Sequence, residues 1–126
     1  MYKEQAMEQL REYARAKERE NFLAVKATVL KERLESGRDS SRTTRAVLKR
    51  VENAIAADSM VIRDVESCME LLSDRERCVL WHFYVQRTDD YIEILNEKLC
   101  VERSQIYRLK DKALQKFAML SMGDFY

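Results

Sequence analysis

Proline is absent from the 126 residues, and glycine occurs only at Gly37 and Gly123. Sandwiches, Greek keys and doubly wound sheets depend on turn residues that this chain lacks. Two isolated glycines cannot build a glycine-rich phosphate cradle of either common type. Histidine occurs once, at His82, and the cysteines Cys68, Cys78 and Cys100 contain no Cys-x-x-Cys pair. A structural zinc site is therefore not expected, and three reduced thiols are. No apolar run approaches the roughly 18 residues of a membrane span. The opening Met1-Tyr2-Lys3-Glu4-Gln5 has no apolar signal-peptide core. Neither charge sign dominates, because 23 Lys and Arg oppose 22 Asp and Glu for a net +1. A global field for nucleic acid or membrane is thereby excluded, and any basic surface must be local. The expectation is a cytoplasmic protein that does not engage membranes. With no nucleophile–base pair, metal set or phosphate loop, it is not expected to be an enzyme, and no catalytic residue, metal or cofactor is assigned.

What is present favours helices. Charged residues make up 36% and hydrophobic residues 46% of the chain, a balance typical of long helices and coiled coils. The fold class expected is all-α. Residues 3–35 read as one long helix, with Ala6, Leu10, Tyr13, Ala16, Leu23, Ala27, Leu30 and Leu34 along one stripe, interrupted between Lys17 and Glu20. Ser36-Gly37 is the stop, with Gly37 suited to the C′ position. The polar segment 36–44 is loop-like, and its Ser and Thr residues offer N-caps. Residues 43–72 form a second long helix. There Leu48, Ile55, Ile62 and Met69 make one seven-residue track and Val51, Asp58, Val65 and Leu72 the other. Asp58 breaks this seam and marks a kink or an interruption. The seam packs on the first helix as a hairpin, on a second copy through the N-terminal helices, or on both.

From residue 71 the boundaries become explicit. Ser73 and Glu76 have the spacing of a capping box, and the helix it opens, 74–86, carries Val79, Leu80, Phe83 and Tyr84. The Trp81-His82-Phe83-Tyr84 cluster is read as core rather than as a stacking platform for single strands. The pair Asp89-Asp90 serves as the cap of a helix over 90–99 bearing Tyr91, Ile94, Leu95 and Leu99. Cys100-Val101-Glu102 is a turn, and a helix over 103–120 carries Ile106, Leu109, Ala113, Leu114 and Phe117. The organisation expected is a long helical hairpin or coiled-coil extension over 1–70, a compact helical domain over 71–120 and a tail over 121–126, with Gly123 at a helix end.

Two short helices joined by a three-residue turn, the second longer and more basic, form a helix-turn-helix. Residues 103–120 hold five basic side chains and one acidic one. The face taken to be free carries Arg103, Ser104, Gln105, Tyr107, Arg108, Lys110 and Lys112. Arg and Gln near the start of such a helix reach base edges in the major groove, and Lys further along reaches phosphates.

The stretch from Leu72 with Arg75-Glu76-Arg77-Cys78-Val79-Leu80, through Ile94, Leu99, Cys100-Val101 and Glu102-Arg103, to Ile106 and Ala113-Leu114 resembles region 4 of bacterial sigma factors. It covers about residues 71–118. More narrowly, Arg103–Lys110 with Ala113–Ala118 is similar to ArpU-like and RinA-like phage regulators of Gram-positive bacteria. The resemblance implies a transcriptional regulator that binds double-stranded DNA, with RNA polymerase as a further candidate partner. Two positions depart from the pattern. Cys100 stands where the turn usually has glycine, so a positive φ there is costly, and Glu102 replaces the usual Ser or Thr cap. Nothing in 1–70 resembles the promoter-melting segment of a complete sigma factor.

Overall fold

The computed structural model describes residues 2–37 and 42–122, and every regular element among them is helical. Helix α1 spans Tyr2–Glu35, α2 Arg42–Met69, α3 Asp74–Leu80, α4 Tyr91–Leu99 and α5 Arg103–Ser121. Between α3 and the loop before α4, Trp81–Val85 winds as a π turn. Gly37 closes α1 at φ +70, as a C′ glycine does. Helix α2 starts at Arg42, so Thr43 and Thr44 are helical and not part of the loop. The caps expected from Ser40 and Ser41, and the helix end expected at Gly123, lie outside the described residues.

The chain falls into two compact units. One combines α1 through Ala14 with everything described from Arg63 onward, and the other spans Arg15–Ile62. The division lies inside both long helices and not at 70/71. The reason is visible in burial: Ala6 and Leu10 are fully buried and Tyr13 nearly so. Within this unit the Tyr13 hydroxyl donates to Glu66 Oε2 at 2.9 Å, and the Tyr13 ring meets Trp81 edge-on at 6.3 Å.

In the Arg15–Ile62 unit the two long helices run antiparallel as a hairpin. Ala16, Ala27, Val51 and Ile62 are buried, Leu23, Leu30, Leu48 and Ile55 are half-buried, and Lys31 reaches Glu52 at 4.0 Å. Helix α2 passes through Asp58 without a break. The break expected there is absent, and the carboxylate has a partner: Arg19 donates from Nε to Oδ2 at 3.0 Å and from a terminal nitrogen to Oδ1 at 2.8 Å. Arg19 lies in the interrupted part of the α1 stripe, so the two sequence defects are the two halves of one ion pair. Its hydrogen bonds hold the Asp58 carboxyl below the usual range, against the opposing effect of burial.

Arg19→Leu alone leaves Asp58 in the seam without this partner and is expected to cost about 1–2 kcal/mol, discounted for the half-exposed arginine. Arg19→Leu combined with Asp58→Leu completes the apolar seam and is expected to recover that loss or exceed the parent. Urea unfolding followed by circular dichroism decides between them. A double variant no more stable than the single would show that the seam requires the charge.

Helix α2 ends at Met69, three residues earlier than its periodicity suggests. Leu72 is buried just before the capping box, and the box needs Ser73 in extended backbone (φ −69, ψ 161), which a continuing helix cannot supply. The box itself is complete: Ser73 N donates to Glu76 Oε1 at 2.9 Å, and Glu76 N donates to Ser73 Oγ at 3.2 Å. Glu76 also accepts from Lys116 Nζ at 3.2 Å, which ties α3 to α5. Around this link Val79, Leu80, Leu95, Ile106, Ala113, Leu114 and Phe117 close a core with at most 1% exposure each.

Candidate nucleic-acid interface

Helix α4 ends on Cys100, which adopts the left-handed conformation at φ 55, ψ 42. This is the positive φ that a turn glycine would take without strain. Val101 is half-buried in the turn, and Glu102 occupies the N-cap of α5 without a side-chain cap bond. Asp90 likewise sits at the N-cap of α4 but does not cap it through its side chain. The cap expected of it is replaced by a bond from Thr88 Oγ1 to its Oδ1 at 2.8 Å. The burial of Ile92, Leu95 and Leu99 on α4 and of Ile106 on α5 fixes the two helices against each other across the three-residue turn. Cys100→Gly is expected to stabilise this unit by about 1 kcal/mol, since glycine relieves the left-handed strain. A rise in the urea midpoint, read by Trp81 fluorescence, is the check.

The seven residues expected to face the groove divide into two groups. Arg103, Ser104, Gln105, Arg108 and Lys112 are exposed. Tyr107 and Lys110 are half-buried and turn toward the π turn. The Tyr107 ring meets Phe83 edge-on at 5.7 Å, and Lys110 Nζ lies 5.6 Å from the centre of the Phe83 ring while pairing with Asp111 at 2.8 Å. Helical spacing carried this signal. Tyr107 is three before Lys110 and seven before Leu114, and Lys110 is three before Ala113, so both flank the buried stripe. Lys116 is likewise engaged, with Glu76. Of the five basic residues on α5, Arg108 and Lys112 make no ion pair among the described residues, and Arg103 lies close enough to Tyr107 to lower its hydroxyl pKa. Bonds from Arg103 and from Tyr91 hold the Tyr107 hydroxyl below the usual phenol range.

The sequence reading missed Arg87. It lies in the loop before α4, stacks on Tyr91 at 4.3 Å and donates to its hydroxyl at 2.8 Å. It therefore joins Arg103 beside Tyr91 and Tyr107, at the N-terminal end of α5. The aromatic group that organises this end, Phe83 with Tyr84, Tyr91 and Tyr107, depends on the π turn. The turn's wide register is closed by Gln86 N donating to Trp81 O at 2.8 Å. Of the four-residue cluster only Phe83 is buried, while Trp81, His82 and Tyr84 are half-buried.

Elsewhere in the same unit, Tyr13, Glu66, Trp81, His82 and Lys98 border a groove of about 520 Å³. Lys98 Nζ lies 3.3 Å from His82 Nε2. An ammonium only donates, so Nε2 accepts. Burial, and then the charge of Lys98, push the His82 pKa below its usual value. Among the described residues no three His, Cys, Asp or Glu side chains are grouped to hold a metal, and no helix is long and apolar enough to cross a membrane. Comparison with protein-family models, with curated proteins and with solved structures finds no match.

Proposed function

We propose that the chain is a sequence-specific double-stranded DNA-binding regulator of transcription, of the kind encoded by phages or mobile elements, in which α5 enters the major groove. One observation carries this reading: Ser104, Gln105, Arg108 and Lys112 stand exposed on a helix whose opposite face, Ile106, Ala113, Leu114 and Phe117, is anchored in the core. Gln105 and Arg108 have the donors and acceptors to read adenine and guanine edges. Lys112, Arg103 and Arg87 are suited to phosphates that fix the register. The small number of free cations implies modest non-specific affinity with a shallow salt dependence.

Sequencing fragments retained from a random duplex library, at low and at moderate salt, is expected to yield an enriched motif. Arg108→Ala is expected to cost about 1–3 kcal/mol at that motif and to relax one base position, whereas Lys112→Ala weakens all sequences alike. No enrichment at either salt, or two variants that bind like the parent, overturns the reading. A second reading, a module that binds RNA polymerase, draws on the exposed Met119 and Leu71 of the same unit and on the ion pairs that occupy Lys110 and Lys116. Retention of polymerase by a variant lacking both Arg103 and Arg108 would favour it.

A further inference from the structure

Helix α1 carries a second apolar track besides the one that faces α2. Phe22, Val25 and Val29 are 67%, 63% and 46% exposed. Their spacing of three and four places them on one face, roughly opposite Ala27 and Leu30. A phenylalanine two-thirds exposed in the middle of a long helix has no role within its own hairpin. Glu18 continues this track toward the N-terminus and Arg33 toward the C-terminus. Both are exposed, and neither makes an ion pair among the described residues.

This pattern is self-complementary in one orientation. About a two-fold axis beside the Val25–Lys26 peptide bond, two antiparallel copies of α1 place Phe22 of one opposite Val29 of the other, Val25 beside Lys26, and Glu18 opposite Arg33. The axis repeats each pairing, so two ion pairs bracket a patch of six apolar side chains. In a parallel arrangement Glu18 would face Glu18 and Arg33 would face Arg33, which is repulsive at both ends.

We infer that the outer face of α1 is a self-association surface, on which a second copy of this chain docks antiparallel through Phe22, Val25 and Val29, with Glu18 and Arg33 setting the register. The α2 seam named by the heptad tracks is not this surface, because its Val51, Asp58 and Ile62 are buried within the hairpin. From Glu18 to Arg33 the contact runs along about 24 Å of helix. Association is therefore at the weak end of specific interfaces and depends on concentration in the micromolar range. The inference does not rest on the DNA-binding reading.

The test is sedimentation of the full chain, without nucleic acid, across micromolar concentrations. The parent is expected to shift from monomer to dimer as concentration rises. Phe22→Glu, checked for unchanged helicity by circular dichroism, is expected to weaken association about 30-fold or more. Glu18→Arg and Arg33→Glu are each expected to weaken it about 3–10-fold, and the two together to restore it, because the swap reverses both pairs. A parent that stays monomeric throughout would give the face to a helix of another protein and overturn the inference. A dimer indifferent to Phe22→Glu would overturn the face, and a charge swap without rescue would overturn the register. Each of these outcomes leaves the reading of α5 untouched, since that reading is tested by sequence enrichment and by substitutions on α5, not by sedimentation.

Discussion

Phe117→Ala is expected to remove about 3–5 kcal/mol from the unit built on α3, α4 and α5, the range for deleting a fully buried aromatic ring. Phe117 has no exposed surface and lies within the same core as Leu80, Leu95, Ile106 and Leu114. Folded domains exceed their unfolded chains by only about 5–15 kcal/mol, so the loss is a large fraction of the total stability. The single tryptophan, Trp81, lies in this unit, and its fluorescence reports the loss directly in a urea titration. Met119→Ala, two residues on but 66% exposed, is the control and is expected to stay within about 0.5 kcal/mol of the parent. Equal losses in the two variants would mean that α5 does not pack through Phe117.

Glu76→Ala is expected to cost about 2–3 kcal/mol, more than an ordinary helix cap. Its buried carboxylate serves two elements at once, accepting from the Ser73 backbone at 2.9 Å and from Lys116 at 3.2 Å. The Ser73 N–H holds the carboxyl below the usual glutamate range, Lys116 acts in the same sense, and burial opposes them. A lowered carboxyl in the folded state makes its contribution fully at pH values above the unfolded glutamate value. That contribution disappears as pH falls through the folded value. Glu76→Gln keeps an acceptor oxygen but not the charge. It is therefore expected to be less stable than the parent at pH 7 and to converge on it in acid, where both side chains are neutral. Urea midpoints of the pair at neutral and acid pH provide the measurement. A gap independent of pH would show that the carboxyl titrates alike in the folded and unfolded protein, so that neither bond favours its charged form.

Features written in short-range patterns were legible. The all-α class, the two long helices and the Ser73–Glu76 box follow from spacing over a few residues, and the structure contains all three. The positive φ at Cys100 was signalled only by the resemblance, whose pattern usually has glycine at that position. What required distant partners was not legible. Arg19 and Asp58 looked like separate flaws in two stripes because nothing local says that the flaws meet. Ala6, Leu10 and Tyr13 announced a buried face without naming what buries it, and so the first turns of α1 were assigned to an extension. The π turn leaves no signature in Trp81-His82-Phe83-Tyr84, since the same residues fit an ordinary helix. On α5 the periodicity was available, but the cluster of positive charge outweighed it, and Tyr107 and Lys110 were placed on the outer face.

The participation of α1 in a unit otherwise drawn from Arg63 onward has a kinetic consequence. Tyr13 and Glu66 are 53 residues apart in sequence, and joining such distant stretches in a disordered chain carries a closure entropy that grows with the logarithm of the loop. The Arg15–Ile62 hairpin removes most of that cost when it forms first, because zipping α1 to α2 delivers the two stretches side by side. Substitutions that loosen the hairpin should then slow refolding of the other unit, as seen by Trp81, while leaving its unfolding rate nearly unchanged. The hairpin thus acts as a timer for the assembly of residues it does not contain.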